Sequence, residues 1–343
     1  MGLGWLQSDY RSGSYNCVMS VSRKWLVLVL KSVFAVAIIV AIGWHFYSLL
    51  SANSLRDKLL TIRPEFLLPA GLLYLTAHTI WGTFFWQLLR NQGAGISWFT
   101  GVRAYFVSQF GKYVPGKAWV ILLRVMMLKS HNLSPAVVGV NGIYETLTSM
   151  AAGAMIGVWL LPWSGFTIEV GSGVWFGFLG VALLPVVLGV LNRLVVRVAK
   201  RYRGAGATAL PSPSVVLLFQ GLLQTSVGWC LLGGSLWLTI QGLTDEPIPF
   251  SVDLYLGLIG ATTLSYVAGF VALILPGGLG ARELLLQRML TFQLAPIASS
   301  PEAFAVIVSL VLRLVWTVFE VTLALLLWWT GRRGVKHGVK HGG

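Results

Sequence analysis

The chain has 343 residues, of which 56% are hydrophobic and only 10% charged, with a mean hydropathy of +0.77. Soluble proteins carry roughly a quarter charged residues, so this composition excludes an ordinary soluble domain and predicts an all-α polytopic membrane protein. The 25 Lys and Arg against 11 Asp and Glu give a formal charge of +14. These cations fall between apolar runs, which predicts headgroups and cytoplasmic loops as their surroundings and argues against nucleic acid.

Segment 1–24 carries Arg11, Arg23 and Lys24 and is expected to be cytoplasmic. The apolar run 25–50 is too long for a signal-peptide core and is expected to stay as a first span. Further spans, each near the ~20 residues that cross a hydrocarbon core, are expected over 66–89, 136–161, 174–191, 214–240 and 303–329. That makes six full spans. Two segments between them, 97–129 and 252–292, are broken in the same way. Tyr105 stands ten residues before Pro115-Gly116, and Tyr266 ten before Pro276-Gly277. Hydrophobic segments interrupted by Pro and Gly at corresponding places in two halves point to a binding site made of broken helices.

Arg193, Arg197, Lys200, Arg201 and Arg203 mark 193–213 as a cytoplasmic linker between halves 25–192 and 214–330. The tail 331–343, with Arg332, Arg333, Lys336 and Lys340, belongs on the same side. A re-entrant hairpin at each broken segment, entering from opposite faces, satisfies these charges. An eight-span arrangement with every arm crossing satisfies them equally. Each hairpin is followed by a Ser-Pro helix start, Ser134-Pro135 and Ser300-Pro301, with serine suited as cap and proline as first helical residue. Glu145 lies ten residues past the first of these prolines and Arg313 twelve past the second. Hairpin plus helix therefore reads as one unit used twice in inverted orientation.

Gly111–Lys117 reads GKYVPGK and fits the frame of a phosphate-cradling loop, but Ala118 replaces the metal-binding hydroxyl and no strand precedes it. An ATPase is not expected. Lys112, Lys117 and Arg124 in this segment are candidate contacts for a lipid phosphate; the alternative is that the lysines extend to the headgroups. In PGGLGARE, Gly277, Gly278 and Gly280 permit a sharp turn and close approach. Arg282 offers a planar fork to a phosphate there, or else pairs with Glu283 or Glu145. Arg313 and Glu320 lie seven residues apart in the last span, and a charge at that depth must face the bundle interior. Glu145 is the expected partner of Arg313, in a pair that is architectural or serves as a gate or proton site. Gln220, Gln224, Asn141 and Asp253 are candidates to line a polar path. His45, His78 and His131 are isolated and read as packing or interfacial residues; His337 and His341 belong to the basic tail. Cys17 and Cys230 supply neither a disulfide framework nor a ligand spacing, so no metal or cofactor is expected.

Taken together, GKYVPGK followed by Leu-Leu-Arg, a Ser-Pro helix with Glu145, then LPGGLGARE and a last span bearing an arginine resemble the lysylphosphatidylglycerol synthase transmembrane family, over about residues 25–329. That family includes the membrane half of the bacterial multiple peptide resistance factor and stand-alone flippase-like proteins. The resemblance implies an integral protein of the cell membrane that moves an anionic, aminoacylated or polyprenyl-linked lipid between leaflets. The full synthase has a cytoplasmic aminoacyl-transferase domain after its membrane part, whereas this chain ends shortly after Trp329, so lysyl-lipid synthesis is not expected of it. The other readings are a scaffold for a separately encoded synthase or glycosyltransferase, and a membrane enzyme acting on lipid-linked sugars with Glu145 or Asp253 as base.

Overall fold

The computed structural model describes residues 62–113, 118–131, 133–163, 197, 213–271 and 281–337. Outside the described residues lie the expected spans 25–50 and 174–191, nearly all of the linker, the tail beyond 337, His45, Lys117, and the tip residues Pro115, Gly116, Pro276, Gly277, Gly278 and Gly280.

In chain order the helices are α1 (Pro64–Asn91), α2 (Trp98–Ser108), α3 (Ala118–Leu128), α4 (Pro135–Trp159), α5 (Val215–Gln241), α6 (Val252–Val271), α7 (Ala281–Leu294) and α8 (Pro301–His337). A short 3-10 turn, Gln109–Tyr113, extends α2 toward the first Pro-Gly. Among the described residues there is no β-strand. This is a helical membrane protein, and its described residues fall within one compact unit, 57–343.

The helix starts follow local chemistry. Ser97, Ser134 and Ser214 each accept a bond from the backbone N–H three residues on, at 3.2, 3.3 and 3.2 Å, capping α2, α4 and α5. Pro135 and Pro301 occupy first helical positions, where their missing N–H costs nothing.

Among the described residues, three helices are both long and apolar enough to cross a membrane: α5, α6, and α8 over Pro301–Thr330. They differ in setting. The crossing window of α8 is 61% buried and that of α5 only 33%, so α8 runs through the interior and α5 along the rim. Val216, Phe219, Leu223 and Val227 form an exposed apolar stripe on α5, as expected where lipid is the solvent. At 28 and 25 residues α1 and α4 are long enough to cross as well, but they carry the buried polar groups His78, Asn141 and Glu145. The helices of the first broken segment are short. α2 and α3 have 11 residues each, about 16 Å, which is half a hydrocarbon core. In the second segment α6 has 20 residues and α7 has 14.

α1 packs along α5, and α4, α6 and α8 close the group around them. The α1–α5 approach depends on glycine. A Cβ at Gly228 of α5 would fall on the Trp81 indole, 2.9 Å from its Cε2. Glycine there lets a large ring from α1 lie against the α5 backbone.

Candidate functional site

Tyr74, His78 and Trp81 stand at i, i+4 and i+7 on α1 and so share one face. Their rings begin a closed circuit across four helices. Tyr74 and His78 have centroids 4.3 Å apart, His78 and Trp81 5.0 Å, and Trp81 and Trp229 of α5 4.9 Å. Trp229 meets Tyr266 of α6 at 5.3 Å, Tyr266 meets Trp316 of α8 at 6.4 Å, and Trp316 stacks on Tyr74 at 5.1 Å. The indole N–H groups are anchored: Trp81 donates to the Thr225 carbonyl (3.2 Å), Trp229 to the Ser149 carbonyl (2.8 Å) and Trp316 to Ser235 Oγ (2.8 Å). Rings held by both stacking and hydrogen bonds form a rigid frame.

Both broken segments deliver a cation to this frame. From the first, Lys112 pairs with Glu320 of α8, and its ammonium lies 3.4 Å from the Tyr74 hydroxyl. Tyr74 also donates to Glu320. From the second, the Arg282 guanidinium lies 4.1 Å over the Tyr266 ring and 5.0 Å over that of Trp316. Among the described residues no carboxylate comes within ion-pairing distance of Arg282, so it takes neither of the expected partners, Glu283 and Glu145. It rests instead on π-faces, which attract a guanidinium by ~0.5–2 kcal/mol and leave its edge free to donate.

A second centre adjoins the first through Tyr105. Its hydroxyl is 3.1 Å from His78 Nδ1, and the Arg124 guanidinium covers its ring at 4.8 Å. Arg124 Nη1 is 2.7 Å from Glu145 Oε2, Nε donates to Ser108 Oγ at 3.1 Å, and the guanidinium also lies 4.6 Å over Phe85. Arg124 is 1% exposed. The sequence offered it as a lipid-phosphate contact; here its charge and donors are engaged inside the protein. A buried arginine is tolerated where a carboxylate and hydrogen bonds replace its hydration.

The expected Glu145–Arg313 pair is likewise corrected. Glu145 belongs to Arg124, and Arg313 pairs with Glu283. The reason is adjacency: α3 packs on α4 and α7 on α8, so each charge meets its counterpart one helix away. A pattern follows that the sequence did not reveal. After each Pro-Gly, the following helix is tied to the next helix by an Arg–Glu pair, with the polarity exchanged: Arg on α3 and Glu on α4, but Glu on α7 and Arg on α8. Each of the matched tyrosines, Tyr105 and Tyr266, also carries over its ring an arginine from beyond its own Pro-Gly, Arg124 and Arg282 respectively.

Among Lys112, Arg124, Arg282, Arg313 and Glu145, Glu283, Glu320, four cations face three anions, and the surplus charge is that of Arg282. Three of the other candidates have structural partners. Asn141 accepts from Gln92 Nε2 at 2.9 Å, Asp253 accepts from Trp163 Nε1 at 3.1 Å, and His131 touches Ser130 Oγ at 3.2 Å. Gln220 is exposed on α5 and Gln224 is half-buried there. Residues of this frame not singled out from the sequence are Tyr74, Trp81, Trp229 and Trp316; His78, read there as a packing residue, packs among them. The spacing 74, 78, 81 was the available signal.

No curated protein matches the chain. The family model described as the lysylphosphatidylglycerol synthase TM region matches residues 32–324, most of the chain, and the chain belongs to that family.

Proposed function

We propose that the chain flips or scrambles an anionic, aminoacylated or polyprenyl-linked lipid between leaflets of the cell membrane, drawing the headgroup phosphate to Arg282 while the hydrocarbon chains stay in the bilayer. The observation that carries this reading is the surplus charge of Arg282 at the place where cations from both broken segments meet on one aromatic frame. A cation of this kind inside a membrane protein calls for an anionic ligand. Lys117 and the backbone N–H groups of both Pro-Gly tips would assist. With no nucleotide-hydrolysis motif in the sequence, uphill movement would draw on the membrane potential or a proton gradient.

Within the described residues α2 and α3 are 11 residues each, too short as α-helices alone for a core of ~30 Å, which favours a re-entrant first segment. The second segment, with its 20-residue α6, fits either a hairpin or a full crossing. The Arg–Glu pair in each segment and the two tyrosine–arginine stacks support a repeated unit, which we read as inverted, with both termini cytoplasmic from the placement of Lys and Arg in the sequence.

The test is leaflet exchange of fluorescent phosphatidylglycerol and of a polyprenyl phosphate in proteoliposomes. Wild type is expected to speed exchange of at least one, and Arg282→Gln to abolish it. Folded wild type that moves neither lipid, with or without a pH gradient, overturns the reading. A scaffold for a separately encoded synthase is the second reading, favoured by the family's definition on a synthase's membrane region. Stable capture of such an enzyme, with activity unchanged by Arg282→Gln and Arg313→Gln, would replace the first reading by this one.

A further inference from the structure

His78 is 3% exposed in the middle of α1, within the aromatic circuit. Its Nδ1 faces the Tyr105 hydroxyl at 3.1 Å. Its Nε2 is buried and has no hydrogen-bond partner among the described residues. A buried polar atom left unsatisfied costs ~1–3 kcal/mol, and native proteins leave few of them without a reason. The contrast with its neighbours is informative, because all three indole N–H groups of the circuit have acceptors.

The surroundings say what chemistry would satisfy this nitrogen. Lys112 reaches the hydroxyl of Tyr74, the ring next to His78, and Arg282 lies over Trp316, which stacks on Tyr74. When the Tyr105 hydroxyl donates to Nδ1, the ring proton sits on Nε2, which is then a donor. A group bonding it beside two cations should be an oxygen acceptor carrying negative charge. Water would satisfy the nitrogen but would leave the charge of Arg282 unbalanced.

We propose that His78, through Nε2–H, is a binding residue for phosphate oxygens, completing with Lys112 and Arg282 a three-donor site for a phosphodiester headgroup or for free phosphate. The proposal rests on the reading of Arg282 as a phosphate contact and adds a residue and a geometry to it. Lys112 would share its charge between Glu320 and the ligand. Tyr105 would act as a positioning residue, holding the tautomer that turns the N–H of His78 toward the anion.

The experiment measures binding to the full chain of inorganic phosphate in neutral detergent, and of phosphatidylglycerol in nanodiscs whose remaining lipid is phosphatidylcholine. His78→Phe keeps a ring but has no donor, and it is expected to weaken binding ~10-fold or more, the loss expected for one hydrogen bond to a charged group. His78→Gln, which restores an N–H, is expected to recover most of it. In wild type labelled with 15N-histidine, the anion is expected to move one imidazole resonance that is missing in His78→Gln; this readout decides the matter if His78→Phe fails to fold. Dependence on His78 with phosphatidylglycerol identifies the source as a lipid. The same dependence with inorganic phosphate alone supports the site and identifies the source as free phosphate. Equal binding by His78→Phe and wild type, while Arg282→Gln binds nothing, overturns the proposal and leaves the role of Arg282 standing. Binding of neither anion by wild type overturns the proposal, and binding unchanged in both variants overturns it together with the role of Arg282.

Discussion

Arg124 and Arg282 are both arginines set on tyrosine rings beyond a Pro-Gly, and their surroundings give them different tasks. Arg124 and Glu145 have side chains 2% and 3% exposed, against 22% for each of Arg313 and Glu283. Removing one member of a fully buried pair strands the other charge, at a cost of ~3–5 kcal/mol. Arg124→Gln is therefore expected to lower the thermal unfolding temperature of the detergent-solubilised protein more than Arg313→Gln does, and Arg282→Gln least. A double exchange, Arg124→Glu with Glu145→Arg, should regain part of the loss, because the second half already runs this helix pair with the polarity reversed. Unfolding curves for the single and double variants check the order. No recovery would mean that Ser108, Phe85 and Tyr105, which also hold Arg124, decide its placement more than charge does.

At the scale of the helices, much was legible because it is encoded within a turn or two. Ser134-Pro135 announced the start of α4, and the run of apolar residues announced α5 and α8. Harder to read was the face each helix presents. On α1, His78 sits among apolar residues that would suit either lipid or protein, and only the packing of α5 shows that its face is interior. Gly228 makes that packing possible. Gly228→Leu is expected to cost ~1–3 kcal/mol through overpacking, and to change the fluorescence of the tryptophan frame by displacing Trp81. An unchanged melting temperature and spectrum would show that α1 and α5 separate more easily than the close approach of Trp81 implies.

For the whole molecule, the decisive contact is the one between Lys112 and Glu320, 208 positions apart in the chain. It ties the end of the first broken segment to the last helix. In a background with Cys17 and Cys230 replaced by alanine, Lys112→Cys with Glu320→Cys is expected to cross-link readily with a short thiol reagent. Pairing Glu320→Cys with Lys129→Cys, at an exposed site beyond the end of α3, should not. Equal cross-linking of both pairs would deny that the broken segment docks on α8. Sequence by itself determined the class, the helix starts and the family, because hydropathy, capping and proline chemistry act between near neighbours. Tertiary structure alone decided which carboxylate each cation meets, that Arg282 meets none among the described residues, and that six rings from four helices close on one another. The seven charges from Lys112 to Glu320 in these contacts allow many pairings of similar energy on paper. The order in which helices pack selects among them, and that order arises from side-chain shapes meeting across the bundle.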